Sequence, residues 1–377
     1  MQSYILADLV RIKNGKEHKT LPNGKYPVFG SGGIMRYVDK YLYNKPSVLL
    51  PRKGTLDNIQ YCDIPFWTVD TIYYTEVNTT LTNPYYLYRY LSLLDLSKLD
   101  SGTGVPSMTF DNYYGIRVSL PSIEEQTQIA KALQLLDKKI ELNRQINQNL
   151  EAMAKQLYDY WFVQFDFPDE NGMPYKSSGG KMVWNDKLKR EIPKGWDVRA
   201  IKDFMRIFTG KKDVSKAIPG EYKFFSCAPE AITSNEYLYD GYAILVSGNG
   251  SYTGRVGFYK GKFDLYQRTY ACVLDENSHD TSFYYYTLKY LFQPIFTGGR
   301  HGSSIPYIVL GDLADFNFAY NVKVKELFIN TVKSMLDEQI SKQREIEELT
   351  KLRDELLPLL MNGQVSINSD LIVFIYL

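Results

Sequence analysis

The sequence has little of what metal enzymes, motors and membrane proteins require. Its three cysteines (Cys62, Cys227, Cys272) stand far apart with no CxxC pair, which argues against a disulfide framework. Its three histidines (His18, His279, His301) fall at no ligand spacing, so no structural zinc is expected. No Gly-x-x-x-x-Gly-Lys-Ser/Thr loop occurs, and no ATP motor is expected in this chain. No apolar run approaches the ~20 residues that span a bilayer and no signal peptide is visible, so a cytoplasmic chain is expected. Charge of one sign is also missing: the net is +1 over 377 residues.

What is present is a repeat. From Ile129 the apolar positions step by four and three through Leu133, Leu136, Ile140, Asn143, Asn147, Leu150, Ala154, Leu157 and Trp161. This is a heptad seam, the pattern of a helix that needs a partner helix. The same pattern returns from Val322 to Leu360, with Leu136, Ile140, Ile146 and Leu157 matched by Leu336, Ile340, Ile346 and Leu357. The seam candidates on the second helix are Leu336, Ile340, Ile346, Leu349 and Leu356. The duplication extends outside the helices. Asp8, Arg11, Ile12, Gly15 and Lys16 recur as Asp203, Arg206, Ile207, Gly210 and Lys211, and Gly54, Gly102 and Pro106 as Gly250, Gly302 and Pro306.

The expected fold class is α+β, with two pseudo-repeated modules joined by two long helices that form an antiparallel coiled coil. The boundaries read 1–121 for the first module, 122–165 for the central helix, 166–191 for a linker, 192–321 for the second module, 322–363 for the C-terminal helix and 364–377 for a tail. Residues 1–120 hold 13 Lys/Arg against 10 Asp/Glu, and 181–321 hold 18 against 15. This mild positive excess on both modules permits nucleic-acid binding without demonstrating it. Strands are expected at Ser47–Leu50, Thr71–Tyr74 and Ala243–Val246, and helices near Asn83–Leu96 and Ser282–Leu291. Ser122 with Glu124 and Glu125 should cap the central helix, and Asn362-Gly363 should end the last one. Antiparallel pairing would place the modules at opposite ends of a rod, where they could read two half-sites across an unread spacer. Asn143, Asn147 and Gln343 lie on or near the seam, either fixing its register or marking a solvated splay.

Two glycine turns (Phe29-Gly-Ser-Gly-Gly33 and Val246-Ser-Gly-Asn-Gly250), the paired Gly-x-x-x-Pro elements at 102–106 and 302–306, the phrase Leu120-Pro-Ser-Ile-Glu-Glu-Gln126, and Leu150-Glu-Ala-Met-Ala-Lys-Gln-Leu157 before Trp161-Phe162 together give a family likeness. The chain resembles the specificity subunits of type I restriction-modification enzymes over residues 1 to about 363. The resemblance implies two target-recognition domains, each reading half of a bipartite double-stranded DNA target. It implies helices that bind two methyltransferase (modification) subunits, with restriction/translocase subunits joining through the complex. It also implies a non-catalytic chain without cofactor, with S-adenosylmethionine, ATP and Mg on the partner subunits. The family's C-terminal region returns towards the N-terminus, whereas Leu371–Leu377 departs from the family pattern and reads as a strand or a sticky tail.

The candidate DNA contacts are polar loop residues beside glycines, where backbone can approach a duplex. In the first module they are Ser31, Arg36, Arg52, Lys53, Ser101 and Thr103. In the second they are Lys211, Lys212, Asn249, Tyr252, Arg255, Arg300, His301 and Ser303. Arginine can be bidentate to guanine and asparagine to adenine, while the bland role of each such residue is loop capping or solvation. Three other patterns are weighed. Asn83-Pro84-Tyr85-Tyr86 is closer to a helix start than to the loop of an amino-methyltransferase. Pro168-Asp169 and Glu221-Tyr222-Lys223 carry the residue types of a metal nuclease, but nothing places them together. The aromatic knot at Tyr158, Tyr160, Trp161, Phe162 and Phe165 reads as core at the helix end, with partner docking as the other reading. A function of a different class stays open: a coiled-coil scaffold whose duplicated modules bind protein or carbohydrate.

Overall fold

The computed structural model describes residues 1–100, 104, 106–275, 278–299, 301 and 304–365. It divides the chain into two compact units, Met1–Leu142 with Glu345–Leu377, and Asn143–Arg344.

In the first unit, strand Ser47–Pro51 is buried at every position. Its unbroken apolar run therefore suits a strand covered on both faces. It lies inside a four-stranded sheet, ordered Val10–Asn14, Ile72–Val77, Ser47–Pro51, Gln60–Cys62, all antiparallel. Asn23–Gly30 pairs antiparallel with Gly33–Val38 and parallel with Trp67–Thr68. Gln2–Ile5 pairs with Arg117–Leu120, which ties the start of the module to its end.

The long helix Ile123–Tyr158 starts with a capping box: Glu125 N–H donates to Ser122 Oγ (3.3 Å) and Ser122 N–H to Glu125 Oε2 (3.2 Å). Gln126, buried at that start, donates to the Leu81 and Pro121 carbonyls and accepts from Asn83 N–H. Ile129, Leu133 and Leu136 then share a core with Leu357, Leu360 and Met361, with Leu349 and Leu356 packed at its edge. Lys139 pairs with Glu345 at 3.3 Å and Asp137 with Arg353 at 3.1 Å. Rising numbers on one helix meet falling numbers on the other, so the two run antiparallel. The second long helix, Val322–Met361, continues through Pro358 and closes with Gly363 at φ +68. There Gly363 N–H donates to Leu360 and Gln364 N–H to Leu359, a Schellman ending.

The second unit holds a six-stranded sheet, ordered Arg206–Thr209, Thr269–Val273, Tyr239–Ser247, Val256–Leu265, Tyr222–Phe225, Ile232–Ser234. Asp197–Ala200 pairs with Asn317–Tyr320, as Gln2–Ile5 does with Arg117–Leu120. Here too the helix segments run antiparallel: Gln339 Nε2 donates to the Asn147 carbonyl at 3.2 Å, and Tyr158 and Trp161 pack on Phe328. The aromatic knot is core except for Tyr160, which is exposed: Tyr158, Trp161, Phe162 and Phe165 are buried among Trp196, Phe283 and Phe328.

Several local expectations change. The helix expected over 83–96 stops at Leu91, because the Asp95 carboxylate accepts Ser97 N–H and starts a separate 3-10 turn, Leu96–Leu99. The helix beginning at Thr281 passes into a π turn, Leu288–Phe292, just before Pro294, where a missing N–H interrupts the regular ladder. Gln343 is exposed rather than on the seam, whereas Asn143 is buried. Ile140, Leu336 and Ile346 are buried, but Leu150, Leu157, Ile340, Leu349 and Leu356 are only half-buried. In the last turns of the second helix the covered residues are Leu357, Leu360 and Met361 rather than Leu356.

The repeat is visible as duplicated hydrogen bonds. Asp8 accepts Ile5 N–H and Asp203 accepts Ala200 N–H, both at 3.0 Å. Gly15 and Gly210 each pass so close to a backbone carbonyl that a Cβ would lie 2.0 Å from Val69 O or 1.6 Å from Leu265 O, which explains both glycines.

Candidate nucleic-acid interface

Each module brings a positive-φ glycine, Gly54 or Gly250, against its Pro106 or Pro306 through the same contacts. In the first, Gly54 N–H donates to the Pro106 carbonyl (3.0 Å) and Met108 N–H to the Arg52 carbonyl (3.0 Å). In the second, Gly250 N–H donates to Pro306 and Ile308 N–H to Gly248, both at 2.9 Å. Gly54 and Gly250 stand at φ +91 and +81, a conformation other residues adopt only with strain. Tyr73 and Tyr270 donate their hydroxyls to the carbonyls of Met108 and Ile308. Burial pushes both phenols above their usual pKa.

At the first tip, Ser31 lies in the hairpin turn between Gly30 and Gly33, where its carbonyl accepts from Asn58 Nδ2 at 2.6 Å and its N–H donates to Thr71 Oγ1. Arg52 and Lys53 follow strand Ser47–Pro51, and both backbone N–H groups donate to Thr71 O. The Arg52 guanidinium reaches the Asp70 carbonyl at 3.3 Å, and Lys53 is exposed. Ser31, Arg52 and Lys53 are thus brought together around Thr71. Arg36 is set apart, because its guanidinium holds the Leu21 carbonyl (2.9 Å) and Asn23 Oδ1 (2.8 Å). Both bonds use Nη2 and brace a loop. Ser101 and Thr103 lie outside the described residues.

At the second tip, Asn249 and His301 each bridge to Tyr307. Asn249 Oδ1 lies 3.1 Å from Cys227 Sγ. Arg255 donates to the Ala228 carbonyl, and its guanidinium lies 5.6 Å from the centre of the exposed Tyr252 ring. His301 Nε2 lies 3.1 Å from Asp312 Oδ2, with its ring stacked on Tyr307. Lys211 is exposed, whereas Lys212 sits between Glu236 and Asp264. Lys212 thus holds these two carboxylates together within the module. Arg300 and Ser303 lie outside the described residues. The sequence reading missed Arg268, exposed at this tip, whose carbonyl accepts Gly248 N–H. Of the nuclease-like set, Asp169 caps a turn by accepting from Asn171 and Met173. Asn83 caps its helix by accepting from Tyr85 and Tyr86, as a helix start should.

Also missed is how each module is fastened to its helix segments. In the first unit Asp137 receives both the Tyr85 hydroxyl and Arg89, and Arg353 reaches its other oxygen at 3.1 Å. In the second, Glu151 receives the Tyr290 hydroxyl at 2.6 Å, Tyr285 at 3.4 Å and Gln339 at 3.3 Å, with Lys289 at 3.5 Å. Burial, reinforced by the adjacent carboxylate, drives the Tyr85, Tyr285 and Tyr290 phenols far above their ordinary pKa. Tyr85 with Arg89 matches Tyr285 with Lys289 at the 200-residue offset of the repeat, and that offset was the available signal. Among the described residues, no helix is long and apolar enough to cross a membrane.

Comparison with known proteins adds the family. The profile of the type I restriction modification DNA specificity domain matches residues 1–152 and 193–322. The chain is similar to the type I restriction enzyme MjaIX specificity subunit of Methanocaldococcus jannaschii, 26% identical over 308 residues, covering 75% of this chain and 68% of that one. It is 31% identical over 182 residues to the type I restriction enzyme EcoDI specificity subunit of Escherichia coli, covering 47% of this chain and only 40% of the relative. Its fold resembles that of a type I restriction-modification S subunit from M. genitalium, with a TM-score of 0.65 at 17% identity over 95% of both chains. One profile fits both modules and most of the sequence, and the chain therefore belongs to the type I restriction modification DNA specificity domain family.

Proposed function

We propose that this chain is the DNA-specificity subunit of a type I restriction-modification complex. Each module, 1–121 and 192–321, reads one half of a bipartite duplex target through its loop tip. The observation that carries this reading is the duplicated tip: the same carbonyl-pinned, positive-φ glycine turn in both modules, within the two segments that a DNA specificity profile matches. Turns of this type bring backbone and short side chains close to a duplex, while neighbouring cations supply phosphate contacts. Ser31, Arg52 and Lys53 act at the first tip, and Lys211, Asn249, Tyr252, Arg255, His301 and Arg268 at the second. Ser101, Thr103, Arg300 and Ser303 are assigned to the same faces on sequence alone. The paired helices dock two methyltransferase subunits, through which restriction/translocase subunits join. Methylation, ATP hydrolysis and cleavage, with S-adenosylmethionine, ATP and Mg, belong to those partners. The family match on both modules favours this reading over a scaffold for protein or carbohydrate.

Methylome sequencing of cells expressing the chain with its cognate methyltransferase tests it. A two-part methylated motif with a gap of fixed length is expected. Methylation that requires the chain but follows a single uninterrupted motif, or no motif, overturns the proposal.

A further inference from the structure

At the second tip, four of the described polar side chains already hold a partner within the protein. Arg255 is held by the Ala228 carbonyl, Asn249 Oδ1 is met by Cys227, His301 is beside Asp312, and Lys212 lies between two carboxylates. Beside the exposed Lys211, Arg268 and His301, the described part of the tip also offers apolar surface. Ile305 is 62% exposed, Tyr252 48% and Tyr307 40%. Single exposed apolar residues are ordinary on any surface. Ile305 and Tyr307 differ because the described residues next to them are pinned. The Pro306 carbonyl accepts from Gly250 N–H and from Thr253 Oγ1, each at 2.9 Å, and Thr253 is buried. Tyr307 exchanges two backbone hydrogen bonds with His301, and Ile308 N–H is tied to Gly248. The β-branched Ile305 thus stands exposed immediately before the pinned Pro306 and Tyr307, next to the glycine turn, and its stiff side chain has little freedom to lose on binding.

In the major groove, thymine is the base that carries an apolar group, its C5-methyl, and apolar side chains discriminate it by contact. We infer that the second module reads thymine in its half-site through the C5-methyl, with Ile305 as the contacting residue and Tyr252 and Tyr307 closing the sides of the contact. The inference rests on the DNA-reading function proposed above. It assigns the apolar residues to base discrimination and leaves Lys211 and Arg268 for phosphate.

Deoxyuridine isolates this contact, because it lacks the methyl and keeps every hydrogen-bonding group of thymine. The full chain in complex with its methyltransferase subunits is titrated with duplexes carrying its methylation target, in which each thymine, on either strand, is replaced singly by deoxyuridine. At one or two positions of the half-site read by the second module, the substitution should weaken binding by about fourfold, the value of one buried methyl. In the Ile305→Ala complex that sensitivity should vanish, while Ile305→Val retains most of it and sensitivity in the other half-site is unchanged. Equal deoxyuridine sensitivity in wild type and Ile305→Ala, or none anywhere in that half-site, overturns the inference while leaving the bipartite reading intact. Absence of any bipartite target overturns the underlying reading and this inference with it.

Discussion

Replacing Asp137 by asparagine removes the anion that Tyr85, Arg89 and Arg353 share. The three charged side chains are 26%, 10% and 20% exposed for Asp137, Arg89 and Arg353. Arg353 keeps Asp354 at 2.7 Å, so the cost falls on Arg89. It is left buried with the Tyr85 hydroxyl at 3.1 Å and the rings of Tyr85 and Tyr88. Breaking a buried ion pair from one side costs about 3–5 kcal/mol. Water reaching the quarter-exposed carboxylate position places the loss at the lower end, about 3 kcal/mol. In a body of this size each kcal/mol moves the melting temperature by about 2–4 °C, so a drop of roughly 6–12 °C is expected. Thermal unfolding of the full chain, with hydrogen exchange in Ser47–Pro51 and Ile72–Val77 to assign the change to the first unit, measures it. Removing both charges together, as Asp137→Leu with Arg89→Met, should recover much of the loss, because a buried pair contributes little beyond an apolar replacement. A single-variant shift below about 2 °C, or a double variant as unstable as the two singles combined, would refute the reasoning.

Other expectations follow from the two tips and the cysteines. Lys211→Ala should lower the salt dependence of DNA binding by about one unit of log–log slope, whereas Lys212→Met should leave the slope alone and destabilise the second module by stranding the nearly buried Asp264; equal slope changes would contradict the pairing. Arg52→Ala should cost about 1–3 kcal/mol in binding and relax only the half-site read by the first module, as methylome sequencing would show; equal loss at both half-sites would point to a general role in folding. Gly250→Ala meets open space at its Cβ but keeps φ +81, so it should cost about 1–2 kcal/mol of stability by backbone strain alone; urea unfolding with no loss would count against the positive-φ turn. Cys62 is buried, with its thiol pushed up to about 11 by burial, and Cys272 is fully buried, whereas Cys227 is partly exposed. One thiol per native chain should therefore react quickly with a disulfide reagent near pH 8, and rapid labelling of all three would contradict the packing.

The sequence carried the duplication and the helix seam because both are periodic. Ile129, Leu133 and Leu136 repeat along one face, and repetition survives without coordinates. Gly54 with Pro106 and Gly250 with Pro306 were legible as matched pairs, although the hydrogen bond that joins each pair was not. What stayed hidden depends on contacts between residues remote in sequence. Nothing near Arg36 announces that the Leu21 carbonyl and Asn23 hold its Nη2, and Lys212 gives no sign of Asp264, 52 positions away. The same distance concealed Tyr85 on Asp137. A loop residue's charge is readable from sequence, but whether that charge is already neutralised by the fold is a tertiary fact. Ile305 escaped notice for the opposite reason, since an isoleucine is ordinarily read as core and only the pinned turn leaves it outside.

The claim on which the account depends is that each module reads its own half of the target independently. Exchanging residues 192–321 for the second module of the M. jannaschii MjaIX subunit, and sequencing the methylome of cells carrying the hybrid with this chain's methyltransferase, tests that claim most directly. The account predicts a motif in which one half is replaced and the other half is retained. A hybrid that folds and supports methylation but changes both halves, or neither, would contradict it.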